Sequence, residues 1–174
     1  EAVPADEVVV LPNNPNIIAV AGQVDAQTSK TVRVLATRNI TEGFASLLDY
    51  DPEVSADDNL VGMGAAAEAV TSGEVTTAVR NTPSDAGPIT EGDHLGLCDG
   101  RVEVIAGSLV EATTGLLDRL LGDEHELVTL IAGADAAEES TDEVVSWLRT
   151  EHPNLEVEVH LGGQPLYPYY LGIE

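Results

Sequence analysis

The chain alternates short apolar runs with segments in which apolar residues recur at helical spacing. The runs at 7–12, 31–37 and 126–133 are rich in Val, Leu and Ile and are short enough for strands buried on both faces. Segments with helical spacing follow them along the chain. Because strands that alternate with helices form sheets with helices packed on them, the sequence predicts an α/β fold, a mixed sheet with flanking helices.

The last third of the chain gives the clearest topology. A strand at 126–133 is followed by a capping pair, Ser140 and Glu143, and by an amphipathic helix that Pro153 ends. The segment 155–160 then alternates apolar and charged residues, which is typical of a strand. A strand, a helix and a strand at this spacing predict a C-terminal βαβ unit of right-handed connection.

The middle of the chain holds a predicted helix, a strand and a connector. Ser55 and Asp58 form a capping pair at the start of the helix, and Gly73 is predicted to end it. A strand is predicted over 74–82, and the residues at 82–88 have the composition of a turn-rich connector.

A hairpin is predicted next, over 92–107. Asp99-Gly100 provides the residue types that a tight two-residue turn requires at its tip. Ser108 and Glu111 then form a capping box, which predicts that a helix begins directly after the hairpin.

Composition excludes several classes of function. The chain has 7 basic and 31 acidic residues and a formal net charge of −24, which disfavours binding to nucleic acid and to anionic membranes. No apolar run approaches the roughly 20 residues that span a bilayer, and no signal peptide is visible. Cys98 is the single cysteine, so no internal disulfide is predicted. We expect a cytoplasmic protein, and either a halophilic source or a high-GC genome would account for its acidity.

The length of 174 residues fits one domain. An alternative division gives two lobes, at 1–83 and 84–174. The chain begins with Glu and runs directly towards a strand, so we expect it to be one segment, over 1–174, of a longer protein.

Motifs for catalysis and metal binding fail on inspection. Residues 62–67 match a variant of the dinucleotide-binding fingerprint, but no strand precedes them, which favours close helix packing. The acidic run that begins at Asp49 lacks the later residues of a calcium loop. The chain has no G-x-S-x-G nucleophile motif and no phosphate-binding P-loop. The four histidines lack the spacing of a zinc site. They are His94, His125, His152 and His160. No catalytic residue and no metal site is therefore predicted within this chain.

Two corners of the chain are unusual for a purely structural domain. Asn13 and Asn14 follow the first strand, where they meet the free N–H groups of a predicted helix. The segment 159–170 combines glycines, prolines and three tyrosines, which together can form a rigid contact surface. A simple helix cap and a half-buried strand are the structural alternatives.

These corners, read with the middle of the chain, resemble the C-terminal domain of DAK2-type proteins, the large subunits of bacterial fatty acid kinase related to dihydroxyacetone kinases. The resemblance covers nearly the whole chain in the family's order, and its most specific parts are LPNN and H-x-GGQP-x-Y. This sequence has Ala36-Thr37 where the family often has Pro-Thr, and Glu42-Gly43 where it often has Gln-Gly, so no role is carried over to position 42. The matching segments are VVVLPNNPNI, LATRNITEGFASLLDYDP, SGEVTTAVRNT, ITEGDHLGL and VEVHLGGQPLYPYYLGIE.

The resemblance implies a fold like that of DegV proteins and dihydroxyacetone kinases. It also implies two further domains outside this chain, an N-terminal kinase domain that uses ATP and Mg²⁺ and a middle domain with a Cys/His metal motif. No cofactor is implied for this chain itself. In such a system a DegV-type protein carries a fatty acid, and the large subunit phosphorylates its carboxylate to acyl phosphate for phospholipid synthesis.

The function implied for this chain is therefore docking of the acyl-carrying DegV-type partner, without catalysis. Its other expected partners are its own kinase and middle domains, and homodimer formation is left open. Arg80 is included in the predicted partner-binding surface because an isolated arginine in so acidic a chain suggests a specific partner. The predicted surface comprises Asn13, Asn14, Arg80, His160, Gly162, Gly163, Gln164 and Tyr167.

Two other functions remain open. A domain like that of dihydroxyacetone kinase would hold a small ketone through His160, because a neutral imidazole can attack a carbonyl. Alternatively, the domain would bind a lipid itself, which requires a deep apolar cavity.

Overall fold

A computed structural model describes residues 2–174, which form two compact units. Unit 1 ends at Val70 and unit 2 comprises Thr71–Glu174. The division therefore lies earlier than the boundary at 83–84 considered from the sequence. It lies there because the strand that begins at Thr71 pairs on both edges with strands of unit 2.

Unit 1 contains two parallel strands and three α-helices. The strands pair in register, with Val8 opposite Val32. A short 3₁₀ turn precedes the second strand. The elements are β1 (Glu7–Val10), α1 (Pro15–Ala21), β2 (Thr31–Val34), α2 (Ile40–Leu48) and α3 (Ala56–Ala69).

The starts of the helices in unit 1 follow from local capping. The side chain of Asn14 accepts a hydrogen bond from the N–H of Asn16 (2.9 Å), and Pro15 occupies the first helical position of α1. The side chain of Asn39 accepts a hydrogen bond from the N–H of Glu42 (2.9 Å) and so begins α2. Both starts agree with the sequence analysis.

The helix α3 begins at the predicted place and ends earlier than predicted. Ser55 accepts a hydrogen bond from the N–H of Asp58 (3.1 Å), but the helix ends at Ala69 and Val70 is already extended. Gly73 is therefore not a helix terminator. It lies within a strand, where a Cβ would come 3.0 Å from Cδ2 of Leu116. Gly62 lies in the interior of α3, which confirms that residues 62–67 form a helix.

Unit 2 is built on a six-stranded mixed sheet of order β7-β6-β3-β10-β8-β9. The pair β8–β9 is parallel and the other neighbours are antiparallel. The strands β4 and β5 form a separate two-stranded hairpin. The elements are β3 (Thr71–Thr77), β4 (Thr82–Ser84), β5 (Gly87–Ile89), β6 (His94–Cys98), β7 (Arg101–Ala106), α4 (Leu109–Leu120), β8 (Leu127–Ala132), α5 (Glu138–Glu151), β9 (Glu156–Leu161) and β10 (Tyr169–Ile173).

The outcomes of the predictions for unit 2 differ from one element to the next. The hairpin of β6 and β7 turns at Asp99 and Gly100, both with positive φ, as predicted. The strand predicted over 74–82 is wrong in its bounds, because β3 begins and ends earlier. The predicted connector at 82–88 contains most of the β4–β5 hairpin.

The βαβ unit of β8, α5 and β9 is confirmed, but its helix begins earlier than predicted. Glu138 is the first helical residue, after Ala137, which makes no side-chain cap. Ser140 therefore lies inside the helix. The acidic side chains of Glu138 and Glu139 in the first turn compensate for the missing cap, because the N-terminus of a helix attracts negative charge.

The core of unit 2 lies between its sheet and the helices α4 and α5. Tyr169 and Leu171 of β10, the central strand, are fully buried. The other fully buried members of this core are Val75, Ala112, Leu116, Leu117, Val128, Leu130, Val144, Leu148 and Ile173. No helix within residues 2–174 is long and apolar enough to cross a bilayer.

Candidate functional site

Hydrogen bonds between Asn13 and Thr37 connect the segments that follow the two strands of unit 1. Asn13 has a left-handed backbone (φ 52°), and its N–H donates to Oγ1 of Thr37 (3.0 Å). The Thr37 hydroxyl in turn donates to Oδ1 of Asn13 (2.7 Å). A Cβ at Gly43 would overlap the Asn13 side chain. Asn13 therefore joins the ends of β1 and β2, and Asn14 caps α1.

Glu42 is buried and accepts several hydrogen bonds. Its carboxylate accepts from the N–H of Arg38 (2.7 Å), from the Arg38 guanidinium (2.9 Å to Nη2) and from the Asn39 amide (3.0 Å). A carboxylate offers only acceptors, whereas an amide would turn its NH₂ towards some of these donors. The surrounding donors, above all those of Arg38, therefore favour a carboxylate at this position.

The segment 162–168, which we call the Gln164 loop, is held by the Gln164 side chain. Its amide donates to the carbonyl oxygens of Ile131 (3.0 Å) and Tyr167 (3.1 Å). The backbone carbonyl of Gln164 accepts from the N–H of Ala134 (2.9 Å), and the N–H of Gly133 donates to the carbonyl of Pro168 (2.9 Å). Three of these bonds fasten the loop to the end of β8, and the bond to Tyr167 closes the loop on itself.

Glycines permit this close approach. A Cβ at Gly133 would lie 2.7 Å from the carbonyl oxygen of Gln164 and closer still to that of Tyr167. A Cβ at Gly162 would lie 2.6 Å from Cγ2 of Ile131. Gly163 has a φ of 65°, a conformation that side chains disfavour. The Gly-Gly-Gln sequence is therefore required by the backbone path of the loop.

The Gln164 loop borders a cavity of about 440 Å³ in unit 2. Since β10 is antiparallel to both β3 and β8, these two strands are parallel to each other, and the residues that follow both strands line the cavity. The lining residues are Thr76, Thr77, Ala78, Val79, Arg80, Thr82, Ile89, Leu95, Asp135, Leu166, Tyr167 and Pro168.

Two apolar side chains of the cavity wall are open to solvent. Val79 is 80% exposed and Leu166 is 69% exposed. Leu166 has a left-handed backbone (φ 72°), and its carbonyl accepts a hydrogen bond from the Thr76 hydroxyl (2.7 Å). The backbone of Leu166 is therefore held in place, and its apolar side chain lies outside the core.

Arg80 and Asp135 provide the charges of the cavity wall. Both side chains belong to exposed residues. Among the residues that the structure describes, no carboxylate lies within 4.0 Å of the guanidinium of Arg80, and the same is true of Arg101 and Arg149, whereas the other three arginines each have such a partner. Arg80 is therefore available to a carboxylate from another molecule.

The three tyrosines of the tail have different environments. Tyr167 stacks on Tyr170 with ring centroids 5.2 Å apart and lines the cavity. Tyr169 is fully buried, and its hydroxyl shares a hydrogen bond with that of Thr141 (2.8 Å). Burial raises the pKa of Tyr170, and the neighbouring Glu74 raises it further. Only Tyr167 belongs to the cavity wall.

His160 lies on the edge strand β9 rather than in the cavity wall. Its Nε2 is 3.1 Å from a carboxylate oxygen of Glu158, and its side chain is 43% exposed. A neutral imidazole with Nε2 protonated would donate to this carboxylate. Among the described residues, no group of three or more His, Cys, Asp or Glu is placed to hold a metal ion.

The residues predicted for partner binding thus fall into separate places. The structure brings Arg80 and Tyr167 together in one cavity wall, and Gly162, Gly163 and Gln164 build the loop that carries Tyr167. His160 belongs to the neighbouring strand, and Asn13 and Asn14 belong to unit 1.

Sequence reasoning missed Val79 and Leu166. Val79 follows the end of β3, where the alternation of buried and exposed residues no longer applies. The sequence did contain one indication that Leu166 is exposed, because this apolar residue follows Pro165 in a turn-rich segment.

Comparison with solved structures supports the fold. The structure of the C. freundii dihydroxyacetone kinase with AMP-PNP and Mg²⁺ matches 95% of this chain and 38% of its own, with a TM-score of 0.66 and 11% identity. The Streptococcus pneumoniae fatty acid kinase B3 protein loaded with linoleic acid matches 99% of this chain and 73% of its own, with a TM-score of 0.61 and 10% identity. Solved structures of DegV family proteins match as well, so the fold is shared with DegV proteins and dihydroxyacetone kinases.

Comparison of sequences shows the family. A Staphylococcus haemolyticus protein is 39% identical over 166 residues, which are 95% of this chain and 30% of that protein. The Bacillus subtilis protein YloV is 34% identical over 174 residues, all of this chain and 32% of that protein. This chain therefore spans about a third of the length of these relatives. The family model for the FakA-like C-terminal domain of fatty acid kinase matches residues 1–174. This chain belongs to that family of FakA-like C-terminal domains.

Proposed function

We propose that this chain recruits a DegV-type partner that carries a fatty acid, as the docking domain in the large subunit of a fatty acid kinase. A kinase domain outside this chain would then phosphorylate the carboxylate to acyl phosphate, with ATP and Mg²⁺, for phospholipid synthesis in the cytoplasm. The observation that carries the proposal is the Gln164 loop, which presents Leu166 and Tyr167 beside Arg80 on an open cavity.

The physical properties of this surface favour binding of a protein. Tyrosine and arginine are enriched among the residues that contribute most to protein interfaces. The loop is held by four hydrogen bonds, so little conformational entropy is lost when a partner binds. Exposed leucine and valine at its border lose contact with water on docking, which favours association.

Binding of an acyl chain by this domain itself is the second candidate. The cavity of about 440 Å³ has a predominantly apolar lining, and its size lies within the range of small-molecule sites, roughly 300–1,000 Å³. Titration with oleic acid alone distinguishes this function from docking, because docking requires the partner protein.

Calorimetry with the DegV-type protein encoded in the same genome, loaded with oleic acid, tests the proposal. We expect saturable one-to-one binding, and we expect Tyr167→Ala to weaken it about tenfold, because truncation of a central interface tyrosine typically costs about 1–2 kcal/mol. Tyr50→Ala is the matched control, because Tyr50 is 48% exposed in unit 1. An absence of heat at both physiological and raised salt would refute the docking function.

A further inference from the structure

We propose that the outer edge of β9 pairs in antiparallel fashion with the β9 edge of a second copy of this chain, about a twofold axis at Val159. The proposed pairing is separate from docking at the Gln164 loop and does not depend on it. The sequence leaves homodimer formation open, and the edge of β9 gives it a surface and a register.

The strand β9 lies at one end of the six-stranded sheet, and within residues 2–174 it pairs only with β8. The N–H groups of Glu156 and Gly162 donate to carbonyl oxygens at or next to the two ends of β8 (2.8 Å each). Alternate residues of a parallel strand bond to the same neighbour, so the backbone groups of Val157, Val159 and Leu161 point away from β8. The outer edge therefore presents a donor and an acceptor at every second residue.

The other edge strand of the sheet, β7, is less suited to pairing. The register of β6 against β7 shifts between Gly96 and Leu97, which leaves Glu103 of β7 opposite no residue of β6. A bulge of this kind twists an edge strand and hinders the addition of another strand. The strand β9 pairs with β8 from Glu156 to Leu161 without a shift of register, so its edge is regular.

One register matches the edge of β9 with itself. Val157 packs on the core of unit 2, and because side chains alternate along a strand, Val159 and Leu161 lie on the same face while Glu158 and His160 lie on the other. With the axis at Val159, Val157 of each copy lies opposite Leu161 of the other. Leu161, which is 91% exposed in the single chain, thereby gains an apolar neighbour.

The polar face favours the same register. With the axis at Val159, Glu158 of each copy lies opposite His160 of the other, in a non-hydrogen-bonded pair whose Cα atoms are only about 4.5 Å apart. Within one chain the same two side chains already lie 3.1 Å apart. Moving the axis by one residue places Glu158 opposite Glu158 or His160 opposite His160, and like charges directly opposite one another are destabilising. The register at Val159 is therefore the one in which both faces are complementary.

Exchanging the two polar residues between copies tests this register. His160→Glu creates two Glu–Glu pairs in a homodimer and Glu158→His creates two His–His pairs, so we expect each variant alone to associate about tenfold more weakly than the original chain. An equimolar mixture of the two variants restores two Glu–His pairs, and we expect it to associate like the original chain. Sedimentation velocity in raised salt, which screens the repulsion between acidic chains, measures association.

Two further variants test the edge itself. Val159→Pro removes an N–H that points away from β8 and leaves the ladder to β8 intact, and Leu161→Ser removes the exposed apolar side chain. We expect both to weaken association. Val61→Ser, the matched control, removes an apolar side chain that is 76% exposed in unit 1 and should associate like the original chain. Circular dichroism melting verifies that every variant is folded.

Each other outcome overturns the inference in a distinguishable way. An original chain that stays monomeric up to about 1 mM in raised salt refutes self-association through this edge. Dimers that persist in folded Val159→Pro use another surface. A mixture of the two exchange variants that stays monomeric refutes the register at Val159. A monomeric original chain whose binding to the DegV-type protein is abolished by Val159→Pro identifies that protein as the occupant of the edge.

Discussion

At the scale of single residues, Gln164 and Gly133 determine where the candidate surface lies. The side-chain amide of Gln164 donates hydrogen bonds to the backbone carbonyls of both Ile131 and Tyr167. The missing side chain of Gly133 lets the loop backbone pass within contact distance of the end of β8. The position of Tyr167 in the cavity wall therefore depends on two residues that do not line the cavity.

Gly133→Ala should destabilise the chain by about 2–3 kcal/mol, because its Cβ would overlap two backbone carbonyls that cannot move independently. Gly163→Ala is the comparison. Its Cβ would meet no atom within 4 Å, and only the positive φ is unfavourable, which costs about 1 kcal/mol. Urea denaturation of both variants measures the difference, and equal losses would contradict this account of the loop.

Glu74 provides a test of pH dependence. It lies opposite Tyr170 and Leu97 in the sheet, and burial raises the pKa of its carboxyl above 4.5. The folded state therefore binds a proton more tightly than the unfolded state does. This contribution to stability is fully present below pH 4.5 and is lost as the pH rises through the raised pKa.

Glu74→Gln, which stays uncharged, should consequently stabilise the chain at neutral pH by about 0.5 kcal/mol and have little effect below pH 4.5. Urea titrations at both pH values measure this difference. Glu91→Gln, at an exposed position, serves as the control and should show no such dependence on pH. A stabilisation by Glu74→Gln that is equal at both pH values would refute burial as its cause.

Residue patterns predicted local features better than their assembly. Asn14, Ser55 and Ser108 cap helices as their spacing indicates. The sequence did not predict that Arg80 and Tyr167 line the same cavity, because the two residues are far apart in the chain and are brought together by the pairing of β10 with β3. Short-range patterns contain no information about that pairing.

At the scale of elements, the starts of α4 and α5 illustrate two ways to satisfy a helix terminus. The side chain of Ser108 accepts a hydrogen bond from the N–H of Glu111 (3.2 Å) at the start of α4. The helix α5 begins without a side-chain cap and has acidic residues in its first turn instead. The Ser140 pattern was misleading because a serine followed by glutamate also occurs within a helix.

Ser108→Ala should therefore destabilise the chain by about 1 kcal/mol, the typical loss for an N-cap serine. Ser140→Ala should leave stability unchanged or raise it by about 0.5 kcal/mol, because alanine is the better helix former. Thermal and urea unfolding of both variants provides the comparison. A larger loss for Ser140→Ala than for Ser108→Ala would place the helix start at the position predicted from sequence.

At the scale of the whole molecule, the net charge of −24 opposes folding through repulsion among like charges. Salt screens such interactions, with a Debye length of about 10 Å at 0.1 M and about 3 Å at 1 M. We expect the midpoint of thermal unfolding to rise by several degrees between low salt and 1 M NaCl. Scanning calorimetry measures it, and the variant Glu53→Arg/Glu91→Arg, changed at two exposed positions outside the helices, should show a smaller rise. An unchanged or falling midpoint would refute repulsion as a major term.

The central position of β10 has a consequence for biosynthesis. This strand follows every other strand of its sheet in the chain, yet it pairs with both β3 and β8. As the ribosome extends the chain, β3 and β8 are synthesised before β10, so each has one unpaired edge until β10 is made. Unpaired strand edges promote aggregation. The tail that completes the candidate docking surface thus also closes the sheet, so a nascent chain acquires its contact surface and its protection from aggregation in the same step.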